Sequence, residues 1–186
     1  MGIFHQPTEI NPLTTDSSIS ANLLALLFNE LVDVSGDGHM LPELAKSWNI
    51  SDNRLEWTFY LRNNVQFHDG TRLTAEDVKF IFETIKDTKS FGFTHALKYV
   101  ARIDAVGEHT LKIHLTKPDS LLLTAIGTIG IAPKHLLKKD LDHSEFNKHP
   151  IGTGPYRFVE QDSDKIVLEA NEGYFLGRPH LDKIIV

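Results

Sequence analysis

The sequence predicts an α+β fold in which β-hairpins are interleaved with helices. Near the start of the chain, apolar residues recur at the spacing of a helix face. Further along, apolar and polar residues alternate as they do in half-buried strands. Turn sequences rich in Gly, Asp and Asn separate these segments, and the chain contains no internal repeat. Helices and hairpins that alternate in this way are typical of one mixed architecture.

The first element is a predicted helix. Asp16, Ser17 and Ser18 are N-cap candidates, because their side-chain oxygens can accept hydrogen bonds from the free N–H groups of a first helical turn. A Gly-Asp-Gly turn at residues 36–38 ends this unit. The predicted buried stripe consists of Ile19, Leu23, Leu26, Leu27 and Leu31. Before this helix, residues 3–4 are expected to begin a short strand.

A strand–turn–helix unit is predicted next. Residues 56–62 alternate as a half-buried strand, with Trp57 on the core side. Asp69 and Gly70 suit a tight turn, because both tolerate a positive φ. Thr74 then caps a second helix, and Asp77 is spaced to reach back as in a capping box. The predicted inward face of this helix is Val78, Ile81, Phe82 and Ile85.

The remaining elements are shorter. Two paired strands, two short helices and a closing hairpin are predicted from alternation and from the positions of Pro and Gly. The strands cover residues 99–106 and 110–115, the helices residues 120–126 and 134–138, and the hairpin residues 156–161 and 165–170.

Composition excludes several classes of protein. The chain has 186 residues, a net charge of −6, and scattered rather than clustered Lys and Arg, which argues against nucleic acid as a partner. It contains no Cys, so disulfides, thiolate metal sites and a cysteine nucleophile are excluded. No run of apolar residues is long enough for a spanning helix. No secretion signal is visible at Met1, so we expect either a protein that stays inside the cell or a processed or engineered chain.

No catalytic residue, cofactor or metal site is predicted. The ten histidines are dispersed and lack the close spacing of zinc ligands. His68 and Asp69 could form an acid–base pair, but neighbouring strand residues point to opposite faces and the turn already explains Asp69. Ser17 and Ser18 lack the setting of a serine nucleophile. Gly152-Thr153-Gly154 lacks phosphate-loop spacing, and a sharp turn that can bring backbone close to a ligand is the better interpretation.

One stretch carries a family resemblance. Residues 44–83 read LAKSWNISDNRLEWTFYLRNNVQFHDGTRLTAEDVKFIFE. The order and spacing of L-A-x-S-W, W-T-F-x-L-R and V-x-F-H-D-G-T-x-L-T-A-E-D-V resemble the signature of the family 5 bacterial solute-binding proteins, which serve ABC importers of peptides and nickel. Further blocks agree in order, so that the resemblance spans essentially the whole chain: Ile10-Asn11-Pro12, Leu31 with Leu41-Pro42-Glu43, PIGTGPYRF at residues 150–158, and NEGYFLGRPHLDKIIV at residues 171–186.

The resemblance implies a partial periplasmic-binding-protein-like fold of type II, with the extra domain of that cluster. Residues 1–28 and 150–186 would belong to lobe I, and residues 29–149 would form domain II. The second ligand-closing lobe would follow Val186 and is absent from this sequence. The resemblance also implies an extracytoplasmic, monomeric protein, free in the periplasm or lipid-anchored, that delivers its ligand to the permease subunits of an ABC transporter.

The implied ligand is a small peptide. In peptide-binding relatives the loop that leads into the first helix offers backbone groups to the ligand, which by register assigns Asp16, Ser17 and Ser18 to ligand binding. An extended peptide is held largely by main-chain hydrogen bonds. A nickel or metal-chelate receptor is the alternative, although the arginine of the nickel-binding branch is replaced by Gly130. A peptide hydrolase is a third hypothesis, disfavoured because no nucleophile–base pair is recognisable.

Overall fold

The computed structural model describes residues 10–14, 18–88, 97–137 and 145–186. Within these ranges no helix has both the length and the apolar character needed to cross a bilayer. A 3-10 turn covers Glu145–Asn147. In chain order the other elements are α1 (Ser18–Leu27), β1 (Val32–Val34), β2 (Met40–Pro42), β3 (Ala45–Ile50), β4 (Glu56–Leu61), α2 (Ala75–Thr88), β5 (Val100–Ala105), β6 (Thr110–Leu115), α3 (Leu122–Ile126), β7 (Tyr156–Gln161), β8 (Ile166–Ala170) and β9 (Lys183–Ile185).

The described strands form three antiparallel sheets, with helices placed between them along the chain. Their strand orders are β1-β2, β3-β4-β6-β5 and β7-β8-β9. The α+β prediction is therefore confirmed. The predicted turn at residues 36–38 connects β1 to β2, two short strands that the sequence did not predict.

The four-stranded sheet and α2 share one core. Side chains in β4 and β6 alternate between buried and half-buried, as predicted for residues 56–62 and 110–115. Trp57 is 6% exposed and stacks on Phe59 with ring centroids 6.2 Å apart. Helix α2 packs against β5 and β6. Its predicted inward face is buried at all four positions: Val78, Ile81, Phe82 and Ile85.

The start of α2 is fixed by its cap. The Asp77 carboxylate accepts hydrogen bonds from the Thr74 N–H at 2.9 Å and from the Thr74 hydroxyl at 2.8 Å. This is the backward half of a capping box, in which the third helical residue satisfies the N–H before the helix. The other carboxylate oxygen accepts the Lys134 N–H at 3.2 Å, so the cap also holds a segment 57 positions away.

Helix α1 packs against β7 of the three-stranded sheet. It ends at Leu27, with the Phe28 N–H donating to the Leu24 carbonyl at 2.8 Å. The predicted stripe continued to Leu31, which is buried but lies beyond the helix, where its carbonyl accepts the Ala45 N–H at 2.9 Å. The helix ends early because Asn29 and Glu30 bond to other parts of the chain.

Two minor predictions have other outcomes. Residues 134–136 form a turn rather than the start of the predicted short helix, and the Leu136 N–H donates to the Pro133 carbonyl at 3.1 Å. The last position of that predicted helix, residue 138, lies outside the described residues. The strand expected at residues 3–4 lies outside the described residues.

Candidate functional site at the start of helix α1

The structure describes the three predicted ligand-facing residues to different extents. Asp16 and Ser17 lie outside the described residues, and Ser18 is the first residue of α1. The chain just before them, residues 10–14, is described, and we call it the leading segment. Its attachment to the rest of the molecule determines where the loop to α1 begins.

Asn11 attaches the leading segment to the 3-10 turn. Its fully buried side chain donates from Nδ2 to the Asn147 Oδ1 at 2.8 Å and accepts the Leu13 N–H at 2.9 Å. The Ile10 N–H donates to the Asn147 carbonyl at 3.3 Å. Buried polar groups are costly unless they are bonded in this way. The Asn-Pro pair is thus a structural anchor next to the predicted ligand-facing loop.

Gly130 lies directly against the leading segment. A Cβ at this position would be 2.9 Å from the Pro12 Cβ and 3.1 Å from the Phe28 Cβ. Both distances are shorter than ordinary van der Waals contact, so a larger residue requires Pro12 or Phe28 to move. The neighbouring Ile131 N–H donates to the Asn29 carbonyl at 2.9 Å. Close contact of three chain segments therefore explains the glycine.

The loop containing Gly152 and Gly154 packs on the end of α1. A Cβ at Gly152 would lie 1.9 Å from the Leu27 carbonyl oxygen, and one at Gly154 would lie 2.5 Å from the Leu26 carbonyl oxygen. The Gly154 N–H donates to the Leu27 carbonyl at 2.9 Å, which satisfies a carbonyl at the helix end. The close approach that glycine permits is used here for contact with the helix.

A partly buried polar network joins this loop to the chain just after α1, just after β2 and a few residues after β8. We call it the junction network; its members are Asn29, Glu30, Glu43, Thr153 and Tyr174. The Thr153 hydroxyl donates to the Asn29 Oδ1 at 3.0 Å, and the Asn29 Nδ2 donates to a Glu43 oxygen and to the Tyr174 hydroxyl. The other Glu43 oxygen accepts the Glu30 N–H at 2.9 Å. The network connects four segments of the chain.

The junction network holds two carboxyl groups in a poorly solvated place. Burial raises the pKa of Glu30 to about 9, and the neighbouring Glu43 carboxyl adds to the shift. Burial also raises the pKa of Glu43, against the opposing effect of the hydrogen bonds from Asn29 and Glu30. Two carboxylates this close cannot both ionise readily. Glu30 therefore retains a proton at neutral pH, while the Glu43 carboxylate accepts the hydrogen bonds from the Asn29 side chain and the Glu30 N–H.

His68 and Asp69 do not act on each other as an acid–base pair. The His68 ring bonds to the backbone of Gly152 and Gly154, each at 3.1 Å. The Asp69 carboxylate accepts hydrogen bonds from Thr71 and contacts the His135 Nε2 at 2.8 Å. The two side chains tie one turn to two different segments, which is a structural use of both residues.

The described histidines also form no recognisable metal centre. Among the residues that the structure describes, no group of three or more His, Asp or Glu side chains is arranged to hold a metal ion. His114, for example, lies between Asp104 at 3.0 Å and Glu56 at 3.4 Å on the outer face of the four-stranded sheet.

The sequence alone did not predict the junction network. Asn29 and Glu30 interrupt a stretch that is otherwise apolar between Leu23 and Val32, which is a signal of buried polar groups. Their partners could not be found from this signal, because Thr153 lies 124 positions away from Asn29 and Tyr174 lies 145 positions away.

Comparison with known sequences gives a consistent group of relatives. The family described as bacterial extracellular solute-binding proteins, family 5 Middle, matches residues 39–186. The oligopeptide-binding protein AppA of Bacillus subtilis (strain 168) is 32% identical over 194 residues, which cover 99% of this chain and 35% of that protein. The probable di/tripeptide-binding protein 5 of Pseudomonas aeruginosa (strain UCBPP-PA14) is 32% identical and covers 95% of this chain and 38% of that protein.

Solved structures show the same relationship in three dimensions. B. subtilis AppA in complex with a nonapeptide matches with a TM-score of 0.90 and 30% identity, over 97% of this chain and 37% of that one. NikZ from Campylobacter jejuni in complex with Ni(L-His) matches with a TM-score of 0.87 and 33% identity, over 97% of this chain and 37% of that one. The chain thus spans somewhat more than a third of the length of these relatives.

Proposed function

Because this chain belongs to the bacterial extracellular solute-binding proteins of family 5, we propose that it is part of the peptide-binding component of an ABC importer. The observation that carries the proposal is the similarity to the oligopeptide-binding AppA, which extends over 99% of the chain. The proposed role is to hold a ligand for transport, so we assign no reaction to it.

The proposed ligand contact is the loop of Asp16, Ser17 and Ser18. An extended peptide can be held through its main chain, which leaves side-chain identity largely free. Two observations support this proposal: Asn11 anchors the leading segment that precedes the loop, and α1, which follows the loop, packs against β7.

The proposed domain organisation follows the family. Residues 1–28 and 150–186 would form lobe I, and residues 29–149 would form domain II. The contact of α1 with β7 supports the first grouping, and the core shared by α2 and the four-stranded sheet supports the second. In this arrangement the junction network would join lobe I to domain II.

A nickel or metal-chelate receptor is the second candidate, favoured by the similarity to NikZ in complex with Ni(L-His). The arginine of the nickel-binding branch is Gly130 here, in a position without space for a side chain. This difference makes a peptide the better-supported ligand.

The proposed location is outside the cytoplasm, where the protein would be free or lipid-anchored. Its proposed partners are the permease subunits of the importer, and its proposed state is monomeric.

Isothermal titration calorimetry on the full-length protein tests the proposal. Di-, tri- and oligopeptides are compared with the nickel–histidine complex, and mass spectrometry of the peptide mixture after long incubation measures turnover. We expect micromolar or tighter binding of at least one peptide class without cleavage. Binding of the nickel complex alone, or cleavage of the peptides, would contradict the proposal.

A further inference from the structure

The His68 side chain is bonded on both ring nitrogens to one short loop. Its Nδ1 lies 3.1 Å from the Gly152 nitrogen, and its Nε2 lies 3.1 Å from the Gly154 carbonyl oxygen. The His68 backbone N–H also donates to the Gly152 carbonyl at 2.8 Å. Three hydrogen bonds thus join the turn before α2 to the loop before β7.

These contacts determine the protonation state of the ring. The Gly152 N–H can only donate, so Nδ1 must carry a lone pair and accept. The Gly154 carbonyl can only accept, so Nε2 must carry the proton. The ring is therefore the neutral Nε2–H tautomer. An imidazolium would direct a second N–H at the Gly152 N–H, which removes one hydrogen bond and places two donors against each other.

The loop that His68 holds is attached at several other points. The Gly154 carbonyl accepts a second hydrogen bond from the Asn171 Nδ2 at 3.0 Å, and the Gly154 N–H donates to the Leu27 carbonyl. Thr153, between the two glycines, belongs to the junction network. Displacement of Gly152 would therefore disturb both the end of α1 and the buried polar groups around Asn29.

The surroundings of the ring favour its neutral form. Burial lowers the pKa of the His68 imidazole, and the charge of Arg157 in β7 acts in the same direction, against the Gly154 carbonyl and Asp69. Asp69 bonds to Thr71 and His135, and Arg157 is paired with Glu169 at 2.8 Å.

A cavity of about 220 Å³ lies beside the ring and is bordered by His68, Arg157 and Glu172. It has room for several water molecules that can supply a proton.

We propose that His68 is a proton-sensitive latch, whose neutral ring holds the Gly152–Gly154 loop against α1 and whose protonation at Nδ1 releases that loop. The inference does not depend on which ligand the protein binds. It concerns how the turn at residues 65–73, which precedes α2, is attached to α1 and to the loop before β7. His68 is assigned the role of a positioning residue for that loop.

The expected pH dependence has a definite sign. The pKa of His68 is lower in the folded chain than in the open or unfolded one, so protonation favours the open state. The latch is fully present above the pKa of a free histidine, about 6.5. The stabilisation by the latch decreases as the pH falls below that value, and the decrease ends once the pH is below the pKa of His68 in the folded chain. Within this window, the equilibrium constant for an opening that takes up one proton rises about tenfold for each unit by which the pH falls.

Amide hydrogen exchange by NMR on the 186-residue chain measures this opening. We expect the protection factor of the Gly152 N–H, corrected for intrinsic exchange, to fall about tenfold per pH unit in this window. The Ile113 N–H in the four-stranded sheet serves as an internal reference and is expected to stay constant. Unchanged Gly152 protection down to pH 5, or ¹⁵N shifts that report an Nδ1–H tautomer at neutral pH, would overturn the proposal.

Two variants separate the latch from a general effect of histidine. His68→Asn retains a donor and an acceptor on a side chain that does not titrate. We therefore expect this variant to fold and to lose the pH dependence of the Gly152 protection factor. His135→Asn removes an exposed histidine that contacts Asp69 and is expected to keep the window. A His68→Asn chain that retains the same window would refute the latch. If this variant does not fold, the tautomer and the exchange of the unmodified chain decide the question.

Discussion

The Thr153 hydroxyl donates a 3.0 Å hydrogen bond to the Asn29 side-chain oxygen, across 124 positions of the chain. Both residues are buried, at 0% and 3% exposure. The glycines on either side of Thr153 lie against the end of α1, and Asn29 follows that helix. The pair therefore connects the loop before β7 to the point at which the chain leaves α1.

Replacement of Thr153 by Val tests the energetic value of this pair. The substitution preserves the shape of the side chain but leaves the Asn29 Oδ1 buried without its donor. We expect the free energy of unfolding to fall by about 1–3 kcal/mol, measured by urea denaturation. Thr128→Val is the matched control, because the Thr128 hydroxyl is exposed and bonds only locally to Ala125; a change within about 0.5 kcal/mol is expected there. Equal losses in both variants would contradict the prediction.

Gly152→Ala is expected to destabilise the chain strongly. The added methyl group would lie 1.9 Å from the Leu27 carbonyl oxygen, and backbone cannot move aside as a flexible side chain can. We expect a loss of about 3 kcal/mol or more, at the upper end of overpacking costs, in the same denaturation experiment. Gly173→Ala, whose methyl group would be 3.7 Å from its nearest neighbour, should change stability by less than about 1 kcal/mol. A tolerated alanine at position 152 would show that the contact with α1 is loose.

The Glu30–Glu43 pair predicts lower stability at alkaline pH. Glu30 has a pKa of about 9 in the folded chain, against 4.5 for a free side chain. Between these values the folded chain binds more protons than the unfolded chain, so the free energy of unfolding falls as the pH rises. Glu30→Gln keeps the group neutral and should raise stability at pH 8 by at least about 1 kcal/mol.

The matched control for that experiment is Glu83→Gln, on the half-exposed side of α2, where Glu83 is 4.0 Å from Lys79. A surface pair of this kind contributes little, so a change of less than about 0.5 kcal/mol is expected at every pH. The measurement is urea denaturation at pH 6, 7, 8 and 9. A pH profile for Glu30→Gln that runs parallel to that of the unmodified chain would show that Glu30 does not retain the proton.

Asp77→Ala is expected to affect two segments. It removes the acceptor for the Thr74 N–H at the start of α2 and for the Lys134 N–H. Hydrogen bonds to a charged group are worth more than neutral ones, so we expect a loss of about 2–3 kcal/mol. Exchange of both amides should become faster, as measured by NMR. Asp87→Ala, an exposed change in the last turn of the same helix, is the control and should leave both amides protected. Faster exchange of Thr74 alone would mean that Asp77 is only a cap.

The sequence predicted the elements whose signals are local. The prediction of helix α2 was correct because Thr74, Asp77 and a regular apolar stripe all lie within a few helical turns of one another. The family was also correctly identified, since motif order and spacing survive at about 32% identity. The assignment of Asp16, Ser17 and Ser18 to ligand binding stays a prediction.

The elements that were missed depend on contacts between distant segments. Strand β3 has few buried side chains and no clear alternation, so that its pairing with β4 defines it. β9 has three residues and exists through its pairing with β8. Gly152 was interpreted as part of a sharp turn and lies in the irregular segment before β7. Its neighbour, the Leu27 carbonyl, could not be inferred from the loop sequence. The same holds for His68, whose two backbone partners are 84 and 86 positions away.

The contact between α1 and the loop before β7 has a consequence for biosynthesis. Thr153 is made 124 residues after Asn29, which at about 5–20 residues per second takes roughly 6–25 s on the ribosome. During that time the apolar side of α1, including Leu23 and Leu27, has emerged without the strand that covers it. A nascent chain with such a delay is a natural client for chaperones that bind exposed apolar segments.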